Sequence, residues 1–390
     1  MRLLFLTTIC LVVVGYSASA QGCVAVREMG GVTALCGPDS YNLSKGDLQV
    51  GVNYRHFHSW RHFVGTEEQP QRQVLGNAVN IYSHTVDFNL SYGLTNRLQL
   101  SVSIPYVHNE RSQTLTLNKD TASGKLTRYS LFAQGLADVR LDLNYWVIAP
   151  EKIQNGNLMI GFGLKLATGK YNTTDNALQK NGGYASAVND QAIQPGDGGV
   201  GFALQFQGFT KMYKGISGFA NGYYLFSPKE SNGAYKSAAK AGLAGYNLYA
   251  SPDQYFVRAG LMGSLLKNRN LTLSLAGRME GIPAYDALGG QVAYRRPGYV
   301  VAIESGVSYH TGQHSFSVFV PYNFIKNRIQ SAADKADQNL QNSKINDASK
   351  MVHVQGDAAF ADYSISVGYA YRIIRKAKRT PAQIHLHQNM

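Results

Sequence analysis

Charged residues alternate with apolar ones along GLADVRLDLNYWVI, Gly135 to Ile148. On a strand, Asp138, Arg140 and Asp142 would share one face, because successive side chains point to opposite sides. Two carboxylates on one face suggest acid–base hydrolysis, but four strand residues separate Asp138 from Asp142 by roughly 13 Å, too far for a cooperating pair. We interpret these charges as part of a structural network and expect no catalytic residues.

Histidines cluster in the stretch RHFHSWRHF, which contains His56, His58 and His62. H-x-H on a strand places two imidazoles on one face, an arrangement that suits a zinc ion. Trp60 and Phe63 lie among them, and such aromatic residues are also typical of the headgroup level of membrane strands. We interpret the stretch as an interfacial girdle and expect neither metal nor cofactor.

The glycine-rich stretch IQPGDGGVGF, residues 193 to 202, superficially resembles a phosphate-binding loop. No Lys-Ser/Thr pair follows it, and a strand pattern comes next instead of a helix, so we predict a turn that leads into a strand. An alternative is that Asp175, Asp190 and Asp197 of the same connection bind a divalent cation.

The elements that must position these residues are strands. About twelve runs of apolar residues alternate with polar ones, and each has the length of about 9 to 13 residues that a tilted bilayer crossing requires. Their apolar faces begin near Leu48, Val86, Leu98, Val139, Leu158, Val200, Phe219, Tyr255, Leu271, Tyr299, Phe316 and Tyr363. Abundant tyrosine and glycine, 25 and 40 residues, agree with a sheet that has amphipathic rims.

The connections between these runs alternate in length. The short ones are 93–96, 149–156, 213–215, 267–270 and 311–313, and the long ones are 59–78, 108–134, 170–198, 227–252, 282–297 and 328–360. This pattern predicts an all-β fold: a transmembrane antiparallel β-barrel of about 12 strands (range 10–14) over residues 47–373, with short periplasmic turns and long extracellular loops. A soluble periplasmic all-β protein and a β-helix are the competing architectures, and the second requires a fixed repeat.

The two ends of the chain predict export. Residues 1–20 have the basic start, apolar run and small-residue cleavage site of a signal peptide. In an oxidising compartment, Cys23 and Cys36 are expected to form a disulfide within segment 21–46, which either plugs the lumen or remains a short periplasmic extension. The basic tail 374–390 is expected in the periplasm near anionic headgroups, not on nucleic acid.

The same alternation assigns ten charged side chains to the inner face of the barrel. Five are basic and five acidic, so the wall is nearly neutral and unlike the single-sign rings of ion-selective pores. Cross-strand pairs that brace the wall are the expected arrangement. These predicted lumen-lining residues are Arg55, Asp87, Asp138, Arg140, Asp142, Lys165, Arg258, Arg278, Glu280 and Glu304.

Several motifs resemble a known family. YGLTNRLQLSVSIPYV (92–107), followed by GLADVRLDLNYWV, resembles outer-membrane transporters of the MetA pathway of phenol degradation family. QPGDGGVGF, RRPGYVVAIESGVSY (295–309) and GDAAFADYSISVGYAYRI (356–373) resemble related barrels of Gram-negative bacteria, especially Bacteroidetes-type ones, and all these barrels resemble the broader long-chain fatty-acid porin group. The resemblance spans most of residues 47–373 and implies an outer-membrane barrel linked to uptake of aromatic compounds. One departure is the tail after SVGYAYRI, because such barrels usually end on an aromatic residue.

Together these observations predict a monomeric barrel in the outer membrane of a Gram-negative cell, acting as a passive channel for small hydrophobic or aromatic compounds. Its expected partners are outer-membrane lipid, lipopolysaccharide, the barrel-assembly machinery and a small hydrophobic ligand. Two alternatives remain: a lipid-modifying hydrolase, for which Ser305 and His310 are available but fall on opposite faces, and a structural or adhesive barrel with partner-binding loops.

Overall fold

The structure, a computed structural model, describes residues 42–119, 126–149, 152–153, 155–179, 181–237, 240–265 and 270–374. The predicted signal peptide, Cys23, Cys36, most of segment 21–46 and the basic tail beyond residue 374 lie outside the described residues. The predictions for those segments therefore stay predictions.

The described elements are almost all strands. In chain order they are β1 (Leu48–Val64), β2 (Glu67–Glu68), α1 (Gln71–Val74), β3 (Asn80–Gly93), β4 (Leu98–Lys119), β5 (Leu126–Leu136), β6 (Arg140–Trp146), β7 (Gly156–Lys165), β8 (Thr174–Leu178), β9 (Tyr184–Val188), β10 (Gly201–Tyr213), β11 (Ile216–Phe226), β12 (Ser231–Tyr235), β13 (Leu248–Ala250), β14 (Gln254–Ser264), β15 (Leu271–Ile282), β16 (Gly298–Thr311), β17 (His314–Asn327), α2 (Ala332–Asn342), a 3-10 turn (Ala348–Lys350) and β18 (Ala358–Ile373).

These strands close into an antiparallel barrel. If β5 and β6 are counted as one interrupted strand, the wall contains twelve strands within the described residues. β18 pairs with β1 and so closes the barrel. β8–β9 and β12–β13 are small hairpins outside the wall. The predicted barrel of about 12 strands is confirmed, with short turns at one end, called here the short-turn end, and long connections at the other, the long-loop end.

The wall is apolar outside and polar inside. Outward side chains such as Leu204, Leu275 and Ile303 are more than half exposed, whereas inward Gln205, Ser308 and Glu304 are buried. Proteins that face water show the opposite arrangement, so an exposed apolar band around a closed sheet is typical of strands that cross a bilayer. Within the described part of the chain, no helix has the length and apolarity to span a membrane.

The expected loop 108–134 is wrong in its bounds. β4 continues to Lys119 and β5 runs from Leu126 to Leu136, so the wall projects as a long hairpin. The apolar alternation ends near Tyr106 because outward side chains beyond the band are polar, as in Glu110 and Arg128. The strands themselves continue, since backbone pairing does not require an apolar face.

The stretch GLADVRLDLNYWVI contains a bulge. Ser103 pairs with Arg140 and Tyr106 with Leu136, so residues 137–139 lie opposite the two residues 104–105. One of those two is Pro105, which has no N–H to donate, although its carbonyl accepts a hydrogen bond from Ala137 at 2.8 Å. On this side β7 pairs with β6 and not with β5, and beyond Arg140 the segment that follows β7 lies beside β5.

The histidine stretch divides between the two faces. His56 stacks on His84 of β3 at 4.4 Å between ring centroids, and His58 stacks on Tyr82 at 4.1 Å, both on the outer face. Pairing with β18 is irregular around Ser59, but the register is the same on both sides of it. Phe63 therefore keeps the inward parity of Arg55 and is buried in a cluster with Val300, Ala358 and Phe360, so its assignment to an interfacial girdle is wrong.

Leu275 tests which face of the wall contacts lipid. Leu275→Arg would place a charge near the middle of the apolar band and is expected to cost about 2–4 kcal/mol of unfolding free energy in lipid vesicles. The matched change Tyr213→Arg, at the short-turn end, is expected to cost about 0–1 kcal/mol. Denaturant titration monitored by tryptophan fluorescence measures both, and equal costs would contradict the assigned lipid-facing band.

Candidate functional site in the barrel interior

The inward charges lie in a packed interior. Of the ten predicted lumen-lining side chains, nine are between 1% and 6% exposed, and Asp87 is half-buried. In a wide water-filled pore these groups would be exposed to the lumen solvent. Their burial therefore shows that side chains fill the barrel at this level.

A network of two arginines and two glutamates spans three strands. Glu304 of β16 accepts hydrogen bonds from Arg258 of β14 and, at 2.7 Å, from Arg278 of β15. Arg278 also donates to Glu280 at 2.7 Å, and Arg258 donates to Asn221 at 2.7 Å. Each carboxylate thus has a guanidinium partner, which a buried charge requires.

Aromatic rings surround the same guanidinium groups. The Arg278 guanidinium carbon lies 4.6 Å from the Phe256 ring centroid, and that of Arg258 lies 5.4 Å from the Phe319 centroid. Tyr223 extends this layer and packs with Phe256 in a buried cluster. These rings were not predicted from the sequence, because charge alone marked the inner face there, although Phe256 shares the parity of Arg258.

On the other side of the interior, Lys165 lies between two carboxylates. Its Nζ is 3.6 Å from Asp138 and donates hydrogen bonds to Asp197. Asp138 also accepts hydrogen bonds from the backbone N–H groups of Gly169 at 2.9 Å and Asp197 at 3.2 Å. These contacts hold both ends of the segment 166–200, called here the inward segment, against the wall.

The part of the inward segment that follows β9 enters the mouth of the barrel. Ile193 is fully buried against Ile81 and Leu131, and its carbonyl accepts a hydrogen bond from Asn109 at 2.9 Å. Asp190 accepts two hydrogen bonds from the Arg296 guanidinium, one of 2.6 Å. The inward segment is therefore fastened at both ends and also at Asp190 and Ile193.

Asp190 remains charged over the whole ordinary pH range. Burial by itself would raise the pKa of Asp190, but the nearby charges of Arg296 and Arg111 outweigh it and lower that pKa well below its usual value. A carboxyl with a lowered pKa contributes stability above its unfolded pKa and loses it only as the pH falls through the folded value. The contact with Arg296 thus persists through mild acid.

Apolar side chains narrow the interior at the short-turn end. Trp146, Phe209 and Met262 form a buried cluster, with the Trp146 and Phe209 centroids 6.4 Å apart in an edge-to-face arrangement. Nearby, Asn42 donates to the Asn96 carbonyl at 2.9 Å, so the start of the described chain is attached to this rim.

The other candidate sites do not assemble. Asp175 accepts a hydrogen bond from the Phe132 N–H, so each of the three aspartates of the inward segment contacts a protein donor. Across the described ranges, no three His, Cys, Asp or Glu side chains are placed to hold a metal ion. Ser305 is exposed on the outer face, whereas the His310 ring bonds Ser315 at 2.9 Å.

Glu304 is the residue on which the arginine network depends most. Glu304→Gln removes the carboxylate shared by Arg258 and Arg278 and is expected to destabilise the barrel by about 3–5 kcal/mol, because two buried guanidinium groups lose their counter-charge. Glu280→Gln affects Arg278 alone and should cost clearly less. Thermal unfolding in detergent, followed by the gel shift between folded and unfolded forms, measures both; a Glu280 effect as large as that of Glu304 would contradict this ranking.

No family model matches the chain, and no curated protein matches it. Among solved structures, an outer-membrane channel from Pseudomonas putida F1 is 12% identical, with 90% of this chain and 100% of that chain covered and a TM-score of 0.50. The monoaromatic hydrocarbon channel CymD (10% identity, 93% and 96% covered) and the P. putida toluene transporter TodX (10%, 93% and 99%) each have a TM-score of 0.40. At these identities the likeness concerns the fold: the chain has the closed antiparallel barrel of outer-membrane channels.

Proposed function

We propose that this barrel lies in an outer membrane and lets small hydrophobic or aromatic compounds cross passively. The observation that carries the proposal is the combination of an apolar outer band with an interior in which aromatic rings and paired charges form one layer. The fold shared with a solved outer-membrane channel supports the location. By the usual orientation of such barrels, the short-turn end faces the periplasm and the long-loop end faces outward.

The groups that close the interior can move without opening the wall. The wall is held by backbone pairing along every strand, whereas Lys165, Asp197 and Arg296 close the mouth through side-chain contacts. Displacement of the inward segment would therefore open a path while the barrel stays intact. Passive passage through such a barrel needs only this rearrangement and no energy source.

The aromatic layer favours a flat, apolar solute. An aromatic ring that reaches the Arg278 guanidinium could take the place of Phe256, and a cation–π contact of this kind contributes about 0.5–2 kcal/mol. The paired charges oppose retention of an ion, because each guanidinium already has a carboxylate. We therefore infer small neutral or aromatic compounds as the substrate class.

The proposal includes the parts of the chain that the structure does not describe. We infer export by the signal peptide 1–20, a monomeric barrel inserted by the assembly machinery, and a Cys23–Cys36 loop near the periplasmic opening. Residues 42–46 support the last point, since Lys45 and Gly46 donate backbone hydrogen bonds to Asn96 and Gly93 at that rim. The hydrolase alternative has no support in the geometry of Ser305 and His310, and the adhesive alternative remains a prediction.

Permeation tests the proposed function directly. Gram-negative cells that lack their own porins, with this protein expressed in the outer membrane, should take up radiolabelled toluene faster than cells with an empty vector, and should not take up sucrose faster. Asp197→Ala removes a contact of Lys165 and should raise toluene uptake several-fold, because it loosens the inward segment. The control Asp347→Ala lies in an exposed turn, where the carboxylate contacts Lys350.

Two results would contradict the channel. One is toluene uptake equal to that of the empty vector for both the wild type and Asp197→Ala, at matched amounts of folded barrel. The other is equal acceleration of toluene and sucrose, which would indicate an unselective pore.

A further inference from the structure

A cavity of about 670 Å³ opens on the outer face of the wall at the long-loop end. Leu204, Phe206, Tyr255, Val257, Pro283 and Lys335 are among the residues that line it. Leu204, Phe206, Tyr255 and Val257 have outward parity, so the cavity opens toward the membrane, and Tyr223 and Phe256 of the interior layer also line it.

Pairing across three strands brings the lining side chains together. Phe206 of β10 and Val257 of β14 lie on either side of Gly222 of β11, and the Phe206 ring covers this glycine, 3.1 Å from where a Cβ would be. Two residues further along β11, Tyr224 lies between Leu204 and Tyr255. The outward aromatic and aliphatic side chains of these strands form an apolar groove.

One polar atom at this cavity lacks a partner. The Tyr255 hydroxyl is buried and makes no hydrogen bond within the described residues, whereas the neighbouring Tyr224 hydroxyl donates to Asp253 at 2.8 Å. A buried hydroxyl without a partner is unfavourable. An acceptor oxygen from a molecule in the cavity would satisfy it.

Lys335 supplies a positive charge at the top of the groove. Its amine lies 4.9 Å from the Tyr285 ring centroid, and no carboxylate of the described chain is within ion-pair distance of it. The two acidic residues of α2 are already neutralised, Asp334 by Arg328 at 2.8 Å and Asp337 by Lys240 at 2.6 Å. Lys335 is therefore the unbalanced charge on this helix, and it lies beside an apolar groove.

We propose that this cavity binds one phosphorylated, acylated glycolipid of the outer leaflet. An acyl chain lies against the apolar side chains of the groove, a phosphate contacts Lys335, and the Tyr255 hydroxyl donates to an oxygen of the headgroup. An apolar groove alone would accept the chain of any lipid, so the lysine and the tyrosine hydroxyl provide the selection. The site rests on the proposed outer-membrane location and orientation, but it does not depend on what passes through the barrel.

Native mass spectrometry of the full chain in detergent tests the site, with bisphosphorylated lipid A as the probe and dephosphorylated lipid A as the comparison. One bisphosphorylated molecule should be retained per barrel, and the dephosphorylated form should bind more weakly. Lys335→Gln should weaken retention by about fivefold, as expected for loss of one exposed ion pair. Lys344→Gln, an exposed lysine in the same connection, should leave it unchanged.

Tyr255→Phe should change protein stability and lipid binding in opposite directions. Without lipid, the substitution should raise the thermal stability, because it removes a buried hydroxyl that has no partner. It should also weaken lipid A retention by about tenfold, because a hydrogen bond to a charged group is lost. Tyr322→Phe, on an exposed outward tyrosine of β17, should change neither quantity. Equal retention by Lys335→Gln and Lys344→Gln, or equal binding of both lipid forms, would overturn the proposal even if permeation is intact.

Discussion

Pairing between the first and last wall strands is the constraint on which the rest of this structure depends. β1 and β18 are in register from Leu48 opposite Ile373 to Phe63 opposite Ala358. In a bilayer no water can satisfy an exposed strand edge, so a sheet that spans it must close on itself. Once it is closed, every strand has one face toward lipid and one toward an enclosed space.

The size of that enclosed space determines the state of the inner charges. A wall of this number of strands lies between small barrels filled by side chains and wide porins. Arg258, Arg278 and Glu304 therefore reach one another and are buried together, each with a partner. The resulting network braces β14, β15 and β16, and the same side chains fill the interior of the barrel at this level.

Closure of the mouth follows from an irregularity in the wall. The bulge at residues 137–139 separates β5 from the line of β6, and β7 ends at Lys165. The inward segment fills the resulting gap, held by Asp138 and Lys165 on one side and by Arg296 on the other. The barrel wall is held by backbone hydrogen bonds along every strand, whereas the mouth is closed by a few side-chain contacts. Opening the mouth therefore costs less free energy than opening the wall.

The barrel could be predicted because alternation is a local property. Val139, Leu141 and Leu143 lie on the face opposite Arg140 and Asp142 in any strand, independently of the rest of the chain. The lipid face, the strand number and the alternating connection lengths could therefore be predicted from the sequence. The extent of β4 and β5 beyond the apolar band could not be predicted, because strand segments in water lack the alternation of apolar and polar residues.

Partners across the interior depended on the tertiary structure alone. Lys165 meets Asp197, Glu304 joins Arg258 to Arg278, and Phe63 packs against Val300 and Phe360. The sequence by itself determined which side of each strand faces lipid, because that is set by parity along one strand. Only the closed barrel decided which inward side chains touch, because strand stagger and bulges bring together residues that are far apart in the chain.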